Sequence, residues 1–420
     1  MSSTRVPHVA VLDGFRALAI LGVVVLHLCG ASGVFETLRG TAAEIALWGV
    51  LGNVIDAFFI ISGFVLFLPV VIRGGELGSL SRYAIGRAAR LVPAYWLSIV
   101  VVLVLAALFA PGSNLGQRFA GFPGAGEVLI HLGALQMPAR LLDGTLLPGF
   151  GINGPLWMIS VIAGFYVVFP FVARAYHRHP LIGLAVAAAI TFGWKLAALH
   201  ATGVFETIDR SDLPAWAIPL VVTDQLPGWA YSFALGMTAA WAYVRLHRRP
   251  RGSSLERPAL VAGVLALVAY GVCAYAYGRS AAEISGAIAG SAARTDPYLA
   301  LADSTARALV MAAIALGPLW LRQPFANRPI RRLADLSYGI YLIHLVVIVY
   351  VGVLLLGLPQ TGSLGDLALW SAVVIPVSIG YAYLSRRFVE LPARDWARRA
   401  TVGPPRPEAP GGAAAERARA

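Results

Sequence analysis

The sequence predicts an all-α fold, a polytopic membrane protein built as a bundle of about ten transmembrane helices. Three observations predict it. The 420 residues are 58% apolar and only 13% charged, a balance that suits lipid better than water. Apolar runs recur at lengths near the ~20 residues a helix needs to cross a bilayer. The arginines fall mainly in alternate loops, which is how a multi-pass chain records its orientation.

Ten spans follow in order: Phe15–Ser32, Ile45–Ile72, Leu91–Ala110, Pro155–Ala175, Leu181–Leu199, Gly228–Leu246, Pro258–Tyr277, Leu299–Leu321, Leu333–Leu356 and Leu367–Leu384. Arg73, Arg82, Arg87 and Arg90 follow the second, Arg174 and Arg178 the fourth, and Arg245, Arg248 and Arg249 the sixth. Arg328, Arg331 and Arg332 follow the eighth, and Arg386, Arg387 and Arg394 the tenth. The other loops hold most of the acids, among them Glu36, Glu127, Asp143, Glu206 and Asp224. An even number of spans with both termini in the cytoplasm fits this alternation, and the expected location is the plasma membrane.

The net charge of +12 is therefore topological, and no nucleic-acid partner is expected. Lys195 is the single lysine among 33 basic residues; with abundant Ala, Gly and Pro this usage fits a GC-rich bacterial genome. Cys29 and Cys273 lie in apolar runs and read as free thiols. The first apolar run lacks a small-residue cleavage signature and reads as a retained span. The outer loops Pro111–Gly154 and His200–Pro227 are long enough to be functional, and Glu127–Gln136 reads as a short interfacial helix. Residues 1–394 form one membrane domain, and 395–420 read as a disordered cytoplasmic tail.

Ionisable groups inside spans are the sharpest functional signal in such a chain. On the first span, Arg16 and His27 are eleven residues apart, so they share a helix face at a separation of ~16 Å. Counting rise along the first, second and ninth spans puts His27, Asp56 and His344 at one depth near the bilayer centre. A carboxylate beside an imidazole fixes its tautomer and supports it as a general base, so Asp56 is expected to support His27. Asp303 and Arg307 are spaced i, i+4 and read as a structural pair. Lys195 reads as a snorkelling side chain at a helix end. Arg87 and Arg90, three apart at the start of the third span, can grip phosphate bidentately; as plain topological anchors they would need no ligand.

Arg16-x10-His27, then Asp56-Ala-Phe-Phe-Ile-Ile-Ser62-Gly63-Phe, then Arg87-Ala-Ala-Arg90-Leu-Val-Pro93-Ala-Tyr95-Trp resemble the integral-membrane acyltransferase family, type 3. Leu156-Trp157-Met-Ile-Ser160-Val with Phe165-Tyr166 resembles that family's tryptophan motif. Leu336-Ser337-Tyr338-Gly339-Ile-Tyr341-Leu-Ile-His344 resembles its ninth-span motif, and Val389-Glu390-Leu-Pro392 its closing motif. The motifs are weak singly and specific jointly, because their order and sidedness agree. The sequence departs at Ile162, where the family usually has Glu.

The resemblance implies transfer of an acyl group, often acetyl, from acyl-CoA to a hydroxyl of a glycan or related acceptor. It implies catalytic roles for Arg16 and His27, with Asp56 in support, and donor binding by Arg16, Arg87 and Arg90. Trp157, Ser160, Tyr341 and His344 are the candidates for acceptor contact. Acyl-CoA is then a substrate, and no metal or permanently bound cofactor is expected. Two other readings are a transporter or flippase that uses the buried acids and histidines as a proton relay, and a catalytically impaired member, suggested by Ile162.

Overall fold

The computed structural model describes residues 9–109, 123–142, 152–201, 218–247, 255–284 and 293–401. Among them the regular structure is helical, and nine helical segments are long and apolar enough to cross a membrane. The chain is thus a polytopic all-α protein. Its α-helices of seven residues or more are α1 (Ala10–Ala31), α2 (Ala42–Leu51), α3 (Asp56–Ile72), α4 (Leu80–Phe109), α5 (Ala125–Leu132), α6 (Gln136–Leu142), α7 (Trp157–Arg178) and α8 (Pro180–His200). They continue with α9 (Ala230–His247), α10 (Glu256–Ile284), α11 (Pro297–Leu316), α12 (Leu319–Ala326), α13 (Arg328–Val346), α14 (Leu364–Ser385) and α15 (Leu391–Thr401).

The expected sixth span is α9, the one predicted span absent from those nine. Ser232, Gly236, Thr238, Arg245 and His247 dilute its apolarity. It needs less lipid-facing surface because one side is buried against α3. There the two backbones nearly touch: a Cβ on Gly63 would meet the Phe233 carbonyl, and one on Gly236 would meet that of Ile60. Small residues permit such approach between membrane helices, where close packing replaces the hydrophobic effect as the driving force. Around this seam Phe59 stacks on Trp229 and Phe165 on Phe233, each with ring centroids 4.4 Å apart. These rings belong to the largest buried core, which also takes in α1, α4, α13 and α14.

Three expectations about elements are revised. The second span is not continuous: it breaks at 52–55 into α2 and α3. The third starts at Leu80, so Arg87 and Arg90 sit well inside α4 rather than at its start. The short outer helix is two helices, α5 and α6, tied to the bundle by Tyr95, whose hydroxyl donates to the His131 carbonyl, and by Gln136, whose amide donates to that of Leu156. The described part of the C-terminal stretch is helical to Thr401. Residues 111–122 and 143–151 of the first long outer loop, 202–217 of the second, and 402–420 lie outside the described residues.

Candidate active site

The N-terminal half of α1 is seated on α12. Gly14 lies against the Phe325 backbone, with no room for a Cβ, and the Phe15 and Phe325 rings are 4.8 Å apart. This seating presents Arg16 to a cleft of about 120 Å³. Arg16, Arg90 and Arg394 line it together with Asp335, Ile162 and Tyr341. The carboxylates nearby are already engaged: Arg386 donates to Asp335 at 2.8 Å, and Arg394 donates to buried Glu390 at 3.1 Å. A π-helical turn at Arg386–Glu390 precedes α15 and leads into that pair. Neither Arg16 nor Arg90 is held in an ion pair among the described residues. Guanidiniums so placed favour an anionic ligand, because charge removed from water needs a partner.

Arg87 stands aside from this wall. Its guanidinium carbon is 5.9 Å from the Tyr83 ring centre and 5.8 Å from that of Tyr166. Tyr166 is itself in the cleft wall, so Arg87 touches the cleft only through that ring. Of the two arginines singled out in the motif, Arg90 alone faces the cavity.

Tyr341 connects the cleft to the histidines. It forms part of the wall, its hydroxyl donates to the Pro155 carbonyl, and its ring centre is 5.8 Å from that of His344. The His344 and His27 rings lie 5.0 Å apart, edge to face, at 66°. Their expected common level is therefore met. His27 is half-buried, and its Nδ1 donates to the Val23 carbonyl at 2.8 Å.

Asp56 does not join them. It accepts a hydrogen bond from Ser304 at 3.0 Å and lies 3.6 Å from the Arg307 guanidinium. Arg307 also pairs with Asp303 at 2.9 Å, as the i, i+4 spacing predicts, and Asn53 donates to the same acid at 2.8 Å. Placing Asp56 beside His27 is thus overturned. The break at 52–55 starts a new helix with Asp56 and turns its side chain to α11.

Two further readings change. Ser160 donates to the Ala134 carbonyl at 2.7 Å and accepts from the Met137 amide, so its hydroxyl anchors the outer helices and does not line the cleft. Trp157 also lies off that wall, beside the stacked rings of Phe59 and Trp229, 6.4 Å and 5.8 Å from their centres. Lys195 does not snorkel: it is 2% exposed, and its ammonium donates to Thr223 at 3.2 Å and to the Arg294 carbonyl at 2.6 Å. Asp335 and Arg394 were not singled out by sequence reasoning. Their signal was adjacency, since Asp335 precedes the ninth-span motif and Arg394 follows the closing one.

Comparison with known families decides the membership. The acyltransferase domain family matches residues 9–386. The chain belongs to the integral-membrane acyltransferase family, type 3. This membrane acyltransferase-family chain is 24% identical over 406 residues to a peptidoglycan O-acetyltransferase of Listeria monocytogenes, covering 92% of this chain and 56% of the relative. It is 26% identical over 393 residues to nodulation protein 10 of Rhizobium leguminosarum bv. viciae, covering 91% and 92%. A putative peptidoglycan O-acetyltransferase of Bacillus subtilis is 25% identical over 397 residues, covering 91% and 54%. The chain thus spans about half the length of two of these three relatives. No solved structure matches.

Proposed function

We propose that the chain is a membrane O-acyltransferase that moves an acyl group, acetyl in the simplest case, from acyl-CoA to a hydroxyl of a carbohydrate-like acceptor. One observation carries the reading: an arginine-lined cleft abuts, through Tyr341, a pair of histidines. Family membership and the names of the relatives favour acyl transfer, and the cleft chemistry favours a phosphorylated donor.

In this reading Arg16, Arg90 and Arg394 hold the CoA phosphates, and the pantetheine arm extends along α1. The ~16 Å between Arg16 and His27 separates the charged end of the donor from its reactive end. His27 takes the proton of the acceptor hydroxyl as the oxygen attacks the thioester carbonyl. The thiolate of CoA leaves and is protonated. The rival relay reading is weakened, because Asp56 and Asp303 are committed to Arg307.

The test is acyl transfer, or slow thioester hydrolysis, by purified protein in nanodiscs with acetyl-CoA and a set of glycan acceptors. Absence of both with every acyl-CoA tried, in protein that is folded, would defeat the proposal. The sidedness is proposed as well: the arginine mouth and both termini face the cytoplasm. A reporter fused after Arg399 is expected to read as cytoplasmic, and an external reading would invert the scheme.

A further inference from the structure

The cleft is graded along its length. Tyr341, Phe58, Met158 and Ile159 line the end nearest the histidines, where the Phe58 and Tyr341 ring centres are 6.3 Å apart. Asp335 enters six residues earlier on α13, ~9 Å toward the other end. Arg16, Arg90 and Arg394 gather there. Ser62 belongs with them. A Cβ on Gly22 of α1 would stand 3.0 Å from a Val54 methyl, so those two residues share a level. Arg16 is six residues back from Gly22, and Ser62 is eight on from Val54 along the next span, which runs the opposite way. Arg16 and Ser62 therefore reach the cleft within about 3 Å of one level. The Ser62 side chain is half-buried, and its hydroxyl makes no hydrogen bond among the described residues. The hydroxyls of Ser337, Tyr338 and Tyr341 are already spent on the carbonyls of Ala334, Leu91 and Pro155.

We propose that the arginine end of the cleft takes the diphosphate of CoA, with Ser62 as a neutral donor beside Arg16 and Arg90, and leaves the 3′-phosphate and adenosine outside. The inference rests on the acyl-transfer reading and deepens it, by naming the part of the donor that is recognised. Charge alone does not choose, because a phosphate monoester carries about −1.5 to −2 and the diphosphate about as much. Length and polarity do choose. About thirteen bonds join the inner phosphorus of CoA to its sulfur, or ~15 Å of stretched chain at ~1.2 Å per bond. That matches the ~16 Å from Arg16 to His27. With the 3′-phosphate on the arginines, about eight more bonds would intervene, and the stretched donor would overshoot by ~10 Å. The diphosphate would then lie among Phe58, Met158 and Ile159, which offer it no donor. A charge buried without a partner is costly. With the diphosphate on the arginines, the same apolar wall meets the pantetheine arm.

The experiment uses wild type, Arg90→Ala and Ser62→Ala in nanodiscs with three donors: acetyl-CoA, acetyl-3′-dephospho-CoA and acetyl-pantetheine. KM and kcat are read for each pair, with affinity for the matching free thiols. Arg90→Ala is expected to weaken CoA and dephospho-CoA by the same factor, because contacts that share no partner add, and to leave pantetheine unchanged. Ser62→Ala should follow the same pattern at about tenfold, the scale of a hydrogen bond to a charged group, with kcat at saturating donor unchanged. Unchanged use of acetyl-pantetheine by both variants also shows that the cleft is intact. An Arg90→Ala penalty that vanishes with dephospho-CoA would put the 3′-phosphate on the arginines and overturn the proposal. Ser62→Ala binding CoA within about twofold of wild type would overturn it too. So would an equal loss for pantetheine, which would mean that the substitution only reshapes the cleft. These outcomes leave the acyl-transfer reading standing. Wild-type protein that binds none of the three thiols and transfers from none of their thioesters defeats that parent reading instead.

Discussion

Asp56 lies 3.6 Å from Arg307 Nε and is fully buried, and Asp303 meets Nη2 of the same guanidinium at 2.9 Å. One cation therefore serves two acids in the interior of the bundle. Breaking such a group by removing one member leaves charge buried and unpaired, which costs about 3–5 kcal/mol. Arg307→Leu is expected to lower the unfolding transition in detergent strongly. Asp56→Asn should lower it less, because Ser304 can still donate to the amide oxygen. An Arg307→Leu protein as heat-stable as wild type would show that the network holds nothing together.

The two arginines of the third-span motif are expected to separate experimentally. Arg90 faces the cleft and Arg87 lies against the rings of Tyr83 and Tyr166. Loss of a charge-assisted contact to phosphate is worth about 1.5–3 kcal/mol, or roughly 10–150-fold in affinity. Arg90→Ala should weaken CoA binding by that factor, and Arg87→Ala by much less, with its effect felt mainly in stability through Tyr166. Equal losses of CoA affinity in the two would place both on the donor.

Much of this was legible from the residues, and the exceptions have physical causes. Arg16 and His27 share a face by helical arithmetic alone, and the level of His344 followed from counting rise along its span. The break at 52–55 was hidden because a hydropathy average passes over Gly52 and Asn53 in an otherwise apolar run. Its consequence was hidden too: Asp56 and Arg307 are 251 positions apart in the sequence, and nothing local says which helix an intramembrane acid will face. Lys195 was misjudged for a similar reason, since its acceptors Thr223 and Arg294 come from distant segments. Ser160 looked like a site residue beside Trp157, yet the backbone of an outer loop claims its hydroxyl.

Ile162, which stands where the family usually has Glu, lines the cleft with Arg16, Arg90 and Arg394. A carboxylate added there would sit among guanidiniums rather than lipid. Ile162 is 7% exposed, so Ile162→Glu is expected to be tolerated only because those guanidiniums pair the buried carboxylate. The same change combined with Arg90→Ala and Arg394→Ala should cost about 3–5 kcal/mol, the scale of an uncompensated buried charge. Thermal unfolding of wild type, the single variant and the triple variant closes the comparison, and a penalty in the single variant as large as in the triple would mean that the cleft does not offer compensating charge. Turnover of Ile162→Glu is a second readout: a gain identifies the native chain as retuned by this residue.

The last prediction concerns His27. Its Nδ1 is fixed on the Val23 carbonyl, so its Nε2 is the nitrogen available to a substrate. Removing a general base costs typically about 10²–10⁴-fold in rate. His27→Ala should show that loss in kcat while CoA affinity stays near wild type, because the arginines lie ~16 Å away along α1. The two effects are independent only if donor grip and proton transfer are separate sites on one helix, as the geometry has them. Arg16→Ala should show the converse pattern, with weakened CoA binding and a smaller change in kcat at saturating donor. Measuring both parameters for both variants in nanodiscs tests the division. Near-native turnover by His27→Ala would remove it as the base, and a joint collapse of affinity and rate in either variant would show that the two ends of the face act as one site.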